Sequence, residues 1–229
     1  MPRVPLLLGA FAPFLAVSAF HLAVKLAGLV ELDRATKGLA IPALLLGVVI
    51  VLAVGRLRLP TSVLALLLAA LTLSWLGDVL LEFFLVGLSF FLVAHLAYIV
   101  LFHLAFRRRA SWWALGLIPW FGGLLLALAP YLDETWPAVA AYGAVLAYMA
   151  AAASRGNALT MIGGALFVAS DSFLAFRMFT PLFPTPAEDA FIMALYLAAQ
   201  LVLALGVLRT AIPRPAVRTS VPSRPTAAA

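Results

Sequence analysis

The chain has 229 residues, 66% of them hydrophobic and only 10% charged, with a mean hydropathy of +1.14. Soluble domains run nearer half apolar and a quarter charged, so the composition excludes a globular, fibrous or disordered protein and predicts an all-α, polytopic integral membrane protein. The net charge of +6 falls in scattered loop clusters, which is the pattern of membrane topology and not of a nucleic-acid surface. Absence of cysteine removes disulfides, thiolate metal sites and cysteine nucleophiles.

At about 20 apolar residues per crossing, eight segments stand out: 5–24, 39–54, 62–81, 84–106, 112–130, 136–153, 158–179 and 189–209. The first opens on Arg3 and reaches Ala16-Val17-Ser18-Ala19, as a cleavable signal peptide does. Its apolar run is nearly a full span, so it is expected to remain a helix. After Leu208 the chain turns to Pro, Arg, Ser, Thr and Ala. The expectation is one transmembrane domain over 1–211 and a disordered cytoplasmic tail over 212–229.

Eleven of the fifteen Lys and Arg residues lie at the N-terminus, in the even-numbered loops or in the tail, leaving Lys25, Arg34, Lys37 and Arg177 on the other face. The positive-inside rule then places both termini in the cytoplasm. An even number of helices agrees.

Charged and polar side chains at membrane depth are costly unless paired or wet, so they are the functional candidates. Asp78 closes the third segment in Gly77-Asp78-Val79-Leu80-Leu81-Glu82, with Glu82 one turn further on. Two carboxylates at that spacing disfavour joint ionisation, so one is expected to hold a proton; alternatively both mark the helix end. Asp171 lies deep in the seventh segment in Ser170-Asp171-Ser172, after Gly163-Gly164, which suit a close helix approach. It needs a partner on another helix or a proton. His95 and Tyr98 share one face of the fourth segment, and Tyr196 and Gln200 share one of the eighth; Gln200 is the chain's only glutamine. Lys37 opens the second segment as a site residue or an interfacial anchor. With about 1.5 Å of rise per residue, Asp78 lies roughly 5 Å below the outer surface, Asp171 and Tyr196 about 10 Å, and His95 and Gln200 about 16 Å. One cavity open to the outside is the expectation.

His95 and His103 are eight residues apart on one helix, about 12 Å, so no metal site and no cofactor is expected from spacing. Nucleophile elbows, phosphate loops and His-Glu-x-x-His are missing from the sequence. Both lysines lie near helix ends, which leaves no retinal attachment.

Together these residues resemble the YhhN family of bacterial membrane proteins, whose animal relatives are the transmembrane lysoplasmalogenases. The likeness rests on Lys37 and Pro42, Leu76-Gly77-Asp78-Val79-Leu80-Leu81, Phe84, Gly87-Leu88, and Phe91-x-x-x-His95-x-x-Tyr98. It continues through Tyr142, Met149, Gly164-Ala165-Leu166-Phe167-x-x-Ser170-Asp171-Ser172 and Tyr196-x-x-Ala199-Gln200. The resemblance implies an eight-helix membrane hydrolase that cleaves the vinyl ether bond of lysoplasmalogen to a fatty aldehyde and a glycerophospho-base. Its partners are then a lysophospholipid substrate and membrane lipid. Asp171, taken as the more buried, is expected to be the acid and Asp78 the electrostatic partner or base, with the reverse assignment open. Lys37, His95, Tyr98, Ser170, Ser172, Tyr196 and Gln200 are expected to bind substrate. A proton-coupled transporter with an acidic intramembrane site is the alternative, and a lipid-binding scaffold the third reading.

Overall fold

The computed structural model describes residues 4–182 and 185–213. Nine α-helices occur among them: α1 (Val4–Leu26), α2 (Val30–Lys37), α3 (Ala40–Val54), α4 (Thr61–Leu80), α5 (Phe84–Ala105), α6 (Leu117–Leu132), α7 (Trp136–Ala153), α8 (Ala158–Phe179) and α9 (Pro186–Leu208). All eight expected segments appear as helix, with ends displaced by at most a few residues. What was expected to be a loop after the first segment contains α2, whose eight residues carry both charges and apolar side chains. Lys37 accordingly closes α2 and does not open α3.

Seven stretches are long and apolar enough to cross a membrane, one of them the 42-residue run Trp112–Ala153. That run is not one rod. Phe121 on α6 approaches Gly143 on α7 so closely that a β-carbon there would lie 2.7 Å from its ring, whereas a straight helix would hold the two about 33 Å apart. Asp133, with φ +40°, begins the turn at which the chain folds back. The ends of the run also meet. Ser111 N–H donates to Ser154 Oγ at 2.9 Å, and Arg155 reaches the Phe106 carbonyl at 3.5 Å.

Most helices are apolar all round, and large side chains such as Phe83, Ile118 and Leu126 stand exposed on the outside, as lipid-facing surfaces do. Packing closes a circuit in which α1 touches α3, α3 touches α4, α4 touches α5, α5 touches α7, α7 touches α8, α8 touches α9, and α9 returns to α1. Outside it, α6 rests on α7 and α8. Buried positions on nearly every face of α9 make it the most enclosed helix. Gly163 on α8 permits this: a β-carbon there would meet the backbone nitrogen of Leu203 at 3.0 Å. Asn157 caps α8, accepting from the Leu159 and Thr160 amides, while its own amide donates to Gly206 O on α9 at 2.8 Å.

Leu57–Arg58, after α3, pairs antiparallel with Ile212–Pro213, after α9. Residues 212 and 213, placed in the tail by sequence, are thus tied to the bundle, and 214–229 lie outside the described residues. This pairing puts Arg56 and Arg58 at the same end as Arg209. The opposite end gathers the C-terminal ends of α1, α2, α4 and α8 with the N-terminal ends of α5 and α9, and there the interior opens.

Candidate active site

A cavity of about 1060 Å³, its mouth included, opens at that end between α4, α5, α6, α7, α8 and α9. Phe84, Leu88, Phe91, Trp120, Phe121 and Leu124 make much of its wall apolar, while Lys25, Lys37, Asp78, Asp171, Asp189 and Tyr196 bring polar groups to it. A groove of this kind suits a ligand with a hydrocarbon body and a charged head.

Asp78 sits within the last turn of α4 and is 6% exposed. The Tyr196 hydroxyl on α9 donates to its Oδ2 at 2.7 Å. Gly77 beside it leaves room for the Phe91 ring, which stands edge-on to Tyr196 with centroids 6.0 Å apart. The missing β-carbon at 77 therefore fixes the tyrosine that holds Asp78.

Asp171 occupies α8, its side chain 11% exposed. The Tyr142 hydroxyl on α7 donates to its Oδ2, and His95 Nε2 on α5 lies 3.0 Å from that hydroxyl and 3.8 Å from the carboxylate. Phe167 joins the two clusters, its ring edge-on to both His95 and Tyr196. Each aspartate thus carries one tyrosine donor from another helix, as a deep carboxyl group requires. Asp171 is slightly the more exposed of the two, opposite to the order expected from sequence.

The other expected residues divide into three groups. Lys37 and Ser170 line the cavity, although the Ser170 hydroxyl is spent on the Ile192 carbonyl at 3.0 Å. His95, Tyr98 and Gln200 are fully buried behind the wall, where Tyr98 donates to Gln200 Oε1 at 2.6 Å. Ser172 donates to the Val168 carbonyl of its own helix and is not among the lining residues. Glu82 does not join Asp78. With α4 ending at Leu80, it swings outward to Arg34 at 3.0 Å, both side chains more than half exposed.

Three residues of this arrangement are given no site role by the sequence. Tyr142, part of the family likeness, is one, although a hydroxyl in an Ala-rich apolar helix is a usable signal. Lys25 and Asp189 are the others, since each resembles an ordinary helix-end charge. Lys25, with its side chain 7% exposed, bridges Asp33 at 3.1 Å and Asp189 at 2.5 Å, and Asp189 also meets Arg177 at 3.3 Å. His21 is buried beside them, hydrogen-bonded to Thr36 at 2.8 Å, and so helps pin α2 over the mouth. Lys37 has no hydrogen bond or ion pair among the described residues.

Residues 5–207 match the YhhN family. The chain belongs to that family. It is 34% identical over 165 residues to "Lysoplasmalogenase TMEM86B" of Homo sapiens, a match covering 65% of this chain and 66% of the relative. With "Lysoplasmalogenase TMEM86B" of Rattus norvegicus it shares 36% identity over 163 residues, 63% of this chain and 62% of the relative. The chain therefore spans slightly less than two thirds of the length of these relatives. No solved structure matches it.

Proposed function

We propose that this membrane protein is a hydrolase that cleaves the vinyl ether bond of lysoplasmalogen, or of a related lysolipid, to a fatty aldehyde and a glycerophospho-base. One observation carries the reading: Asp78 and Asp171, from different helices, face one amphiphilic cavity, and each is held by a tyrosine. The relatives named lysoplasmalogenase support it.

Vinyl ether hydrolysis needs a general acid that protonates the β-carbon, a negative group beside the oxocarbenium ion so formed, and a base for the attacking water. Two carboxyl groups in one cavity, one protonated and one ionised, supply all three functions. Lys37, a cation at the mouth without a protein partner among the described residues, meets the lipid phosphate. The hydrocarbon chain lies against Phe84, Leu88 and Phe121. Tyr196 holds Asp78, while His95, Tyr98 and Gln200 act from behind the wall.

We further propose that α6 and α7 cross separately, giving eight crossings with both termini on the cytoplasmic side of a bacterial inner membrane. Supporting this are the fold-back at Asp133, the return of Ser154 to Ser111, and the pairing of residues 57–58 with 212–213, which requires an even number of crossings between them. The basic residues at that end agree.

The test is incubation of purified protein in detergent with defined lysolipids and mass spectrometry of the products. Fatty aldehyde from lysoplasmalogen is the expected result. Release of fatty acid from the ester lysolipid alone, or no turnover of either, would refute the reading.

A further inference from the structure

Both aspartates accept a tyrosine hydroxyl, yet what stands behind the two tyrosines differs. Gln200 lies behind Tyr196, but its Oε1 is engaged by Tyr98 and its Nε2 makes no hydrogen bond among the described residues. Tyr142 is backed by an imidazole, His95, with Nε2 at 3.0 Å from its oxygen.

A tyrosine has one proton to donate, and Tyr142 gives it to Asp171 Oδ2. In the contact with His95 the phenol oxygen must therefore accept, and Nε2 must carry a hydrogen. His95 Nδ1 is buried without a hydrogen-bond partner among the described residues, and the Phe167 ring lies edge-on to the imidazole at 4.8 Å. Nδ1 meets no acceptor, so the hydrogen that the hydrogen-bond geometry places on the ring is the one on Nε2. The chain of donors runs one way, from His95 to Tyr142 to Asp171, and each donor in such a chain strengthens the next.

We propose that His95 and Tyr142 are positioning residues that commit Asp171 to accepting a proton in the reaction and leave Asp78 as the carboxyl group that donates one. This assignment rests on the hydrolase reading. A strengthened donor on Oδ2 suits an anionic carboxylate at Asp171 and leaves its other oxygen for water, whereas Asp78, the more enclosed, is held by a tyrosine to which the Gln200 amide behind it makes no hydrogen bond.

The steps then balance without any co-reactant other than water. The Asp78 proton moves to the β-carbon as the carbon–carbon π pair forms the new C–H bond, giving the oxocarbenium ion. Water attacks the carbon bonded to oxygen, and Asp171 takes the water proton, leaving a hemiacetal. Asp171 returns that proton to the glyceryl oxygen as the C–O bond breaks. The hemiacetal hydroxyl proton passes to Asp78, restoring both groups and releasing the aldehyde.

Four variants and one spectrum test the assignment. Tyr142→Phe and His95→Leu should each lower kcat about 30-fold with KM changed less than about twofold, and the double variant should be no worse than either. His95→Gln should keep activity within about threefold of the parent, because its amide still donates to Tyr142 but exchanges no proton. In nitrogen NMR of the parent, the His95 ring should carry its hydrogen on Nε2. The titratable groups that meet it are Tyr142 on α7 and Asp171 on α8. If His95→Gln is as impaired as His95→Leu while remaining folded, or if Nε2 carries no hydrogen, the one-way chain is wrong. Failure of the parent to cleave vinyl ethers would refute the reaction instead, and the NMR result decides the chain of donors independently of it.

Discussion

Lys25 on α1 and Asp189 on α9, 164 positions apart, meet at 2.5 Å at the mouth of the cavity. Asp33 shares the same ammonium group at 3.1 Å, so one lysine joins α1, α2 and α9. Removing Lys25 leaves Asp33 without this cation and Asp189 with Arg177, a loss of about 1–3 kcal/mol for a partly enclosed ion pair. Lys25→Ala should lower the unfolding temperature in detergent markedly. Arg34→Ala, which breaks only the exposed pairs with Glu31 and Glu82, should cost less than about 1 kcal/mol. Thermal unfolding of the two variants side by side checks the contrast.

Asp78→Asn and Asp171→Asn keep size and most hydrogen bonding while removing proton exchange. Each should reduce turnover by at least about a hundredfold, with little loss of folded protein, and the double variant should be hardly worse because the groups act as a unit. Product analysis under saturating substrate measures this. Near-normal turnover in either folded single variant would reduce that aspartate to an interhelical anchor.

The reaction should carry the mark of proton transfer to carbon. Turnover of lysoplasmalogen is expected to slow in deuterated water and to persist in strong chelators. It should also fall as pH rises, because the donating carboxyl must be protonated before the step. The matching ester lysolipid lacks a protonatable enol carbon, so it should compete for binding without being cleaved. Recovery of chelator-inhibited enzyme by zinc would contradict this chemistry.

Because the chain lacks cysteine, single cysteines can report sidedness without a background. Arg108→Cys and a cysteine replacing Arg214 should be labelled only from the cytoplasm, and Glu134→Cys only from outside. Labelling of positions 108 and 134 from the same side would overturn separate crossings by α6 and α7.

The contact of α8 with α9 predicts a contrast between two glycines. A side chain at 163 meets the Leu203 backbone, whereas a β-carbon at Gly123 on α6 would find nothing within 4 Å among the described residues. Gly163→Val should destabilise by about 2 kcal/mol or more, and Gly123→Ala should be neutral or slightly stabilising. Unfolding midpoints in one detergent compare them directly.

Apolar run length and the placement of basic residues determined the helices and the candidate sides of the membrane, because a bilayer imposes span length and charge cost locally along the chain. The same cost singled out Asp78, Asp171, His95, Tyr196 and Gln200, since an ionisable or amide group inside an apolar helix stands out by composition alone. Partners did not stand out. Tyr196 reaches Asp78 across 118 positions and Tyr142 reaches Asp171 across 29, distances over which no local spacing rule operates. The tertiary structure also decided that Glu82 turns outward, that a short helix carries Lys37 over the mouth, and that Lys25 is buried in a clamp. Each depends on where a helix ends and how it is rotated against its neighbours, and close packing around residues such as Gly77 and Gly163 sets both.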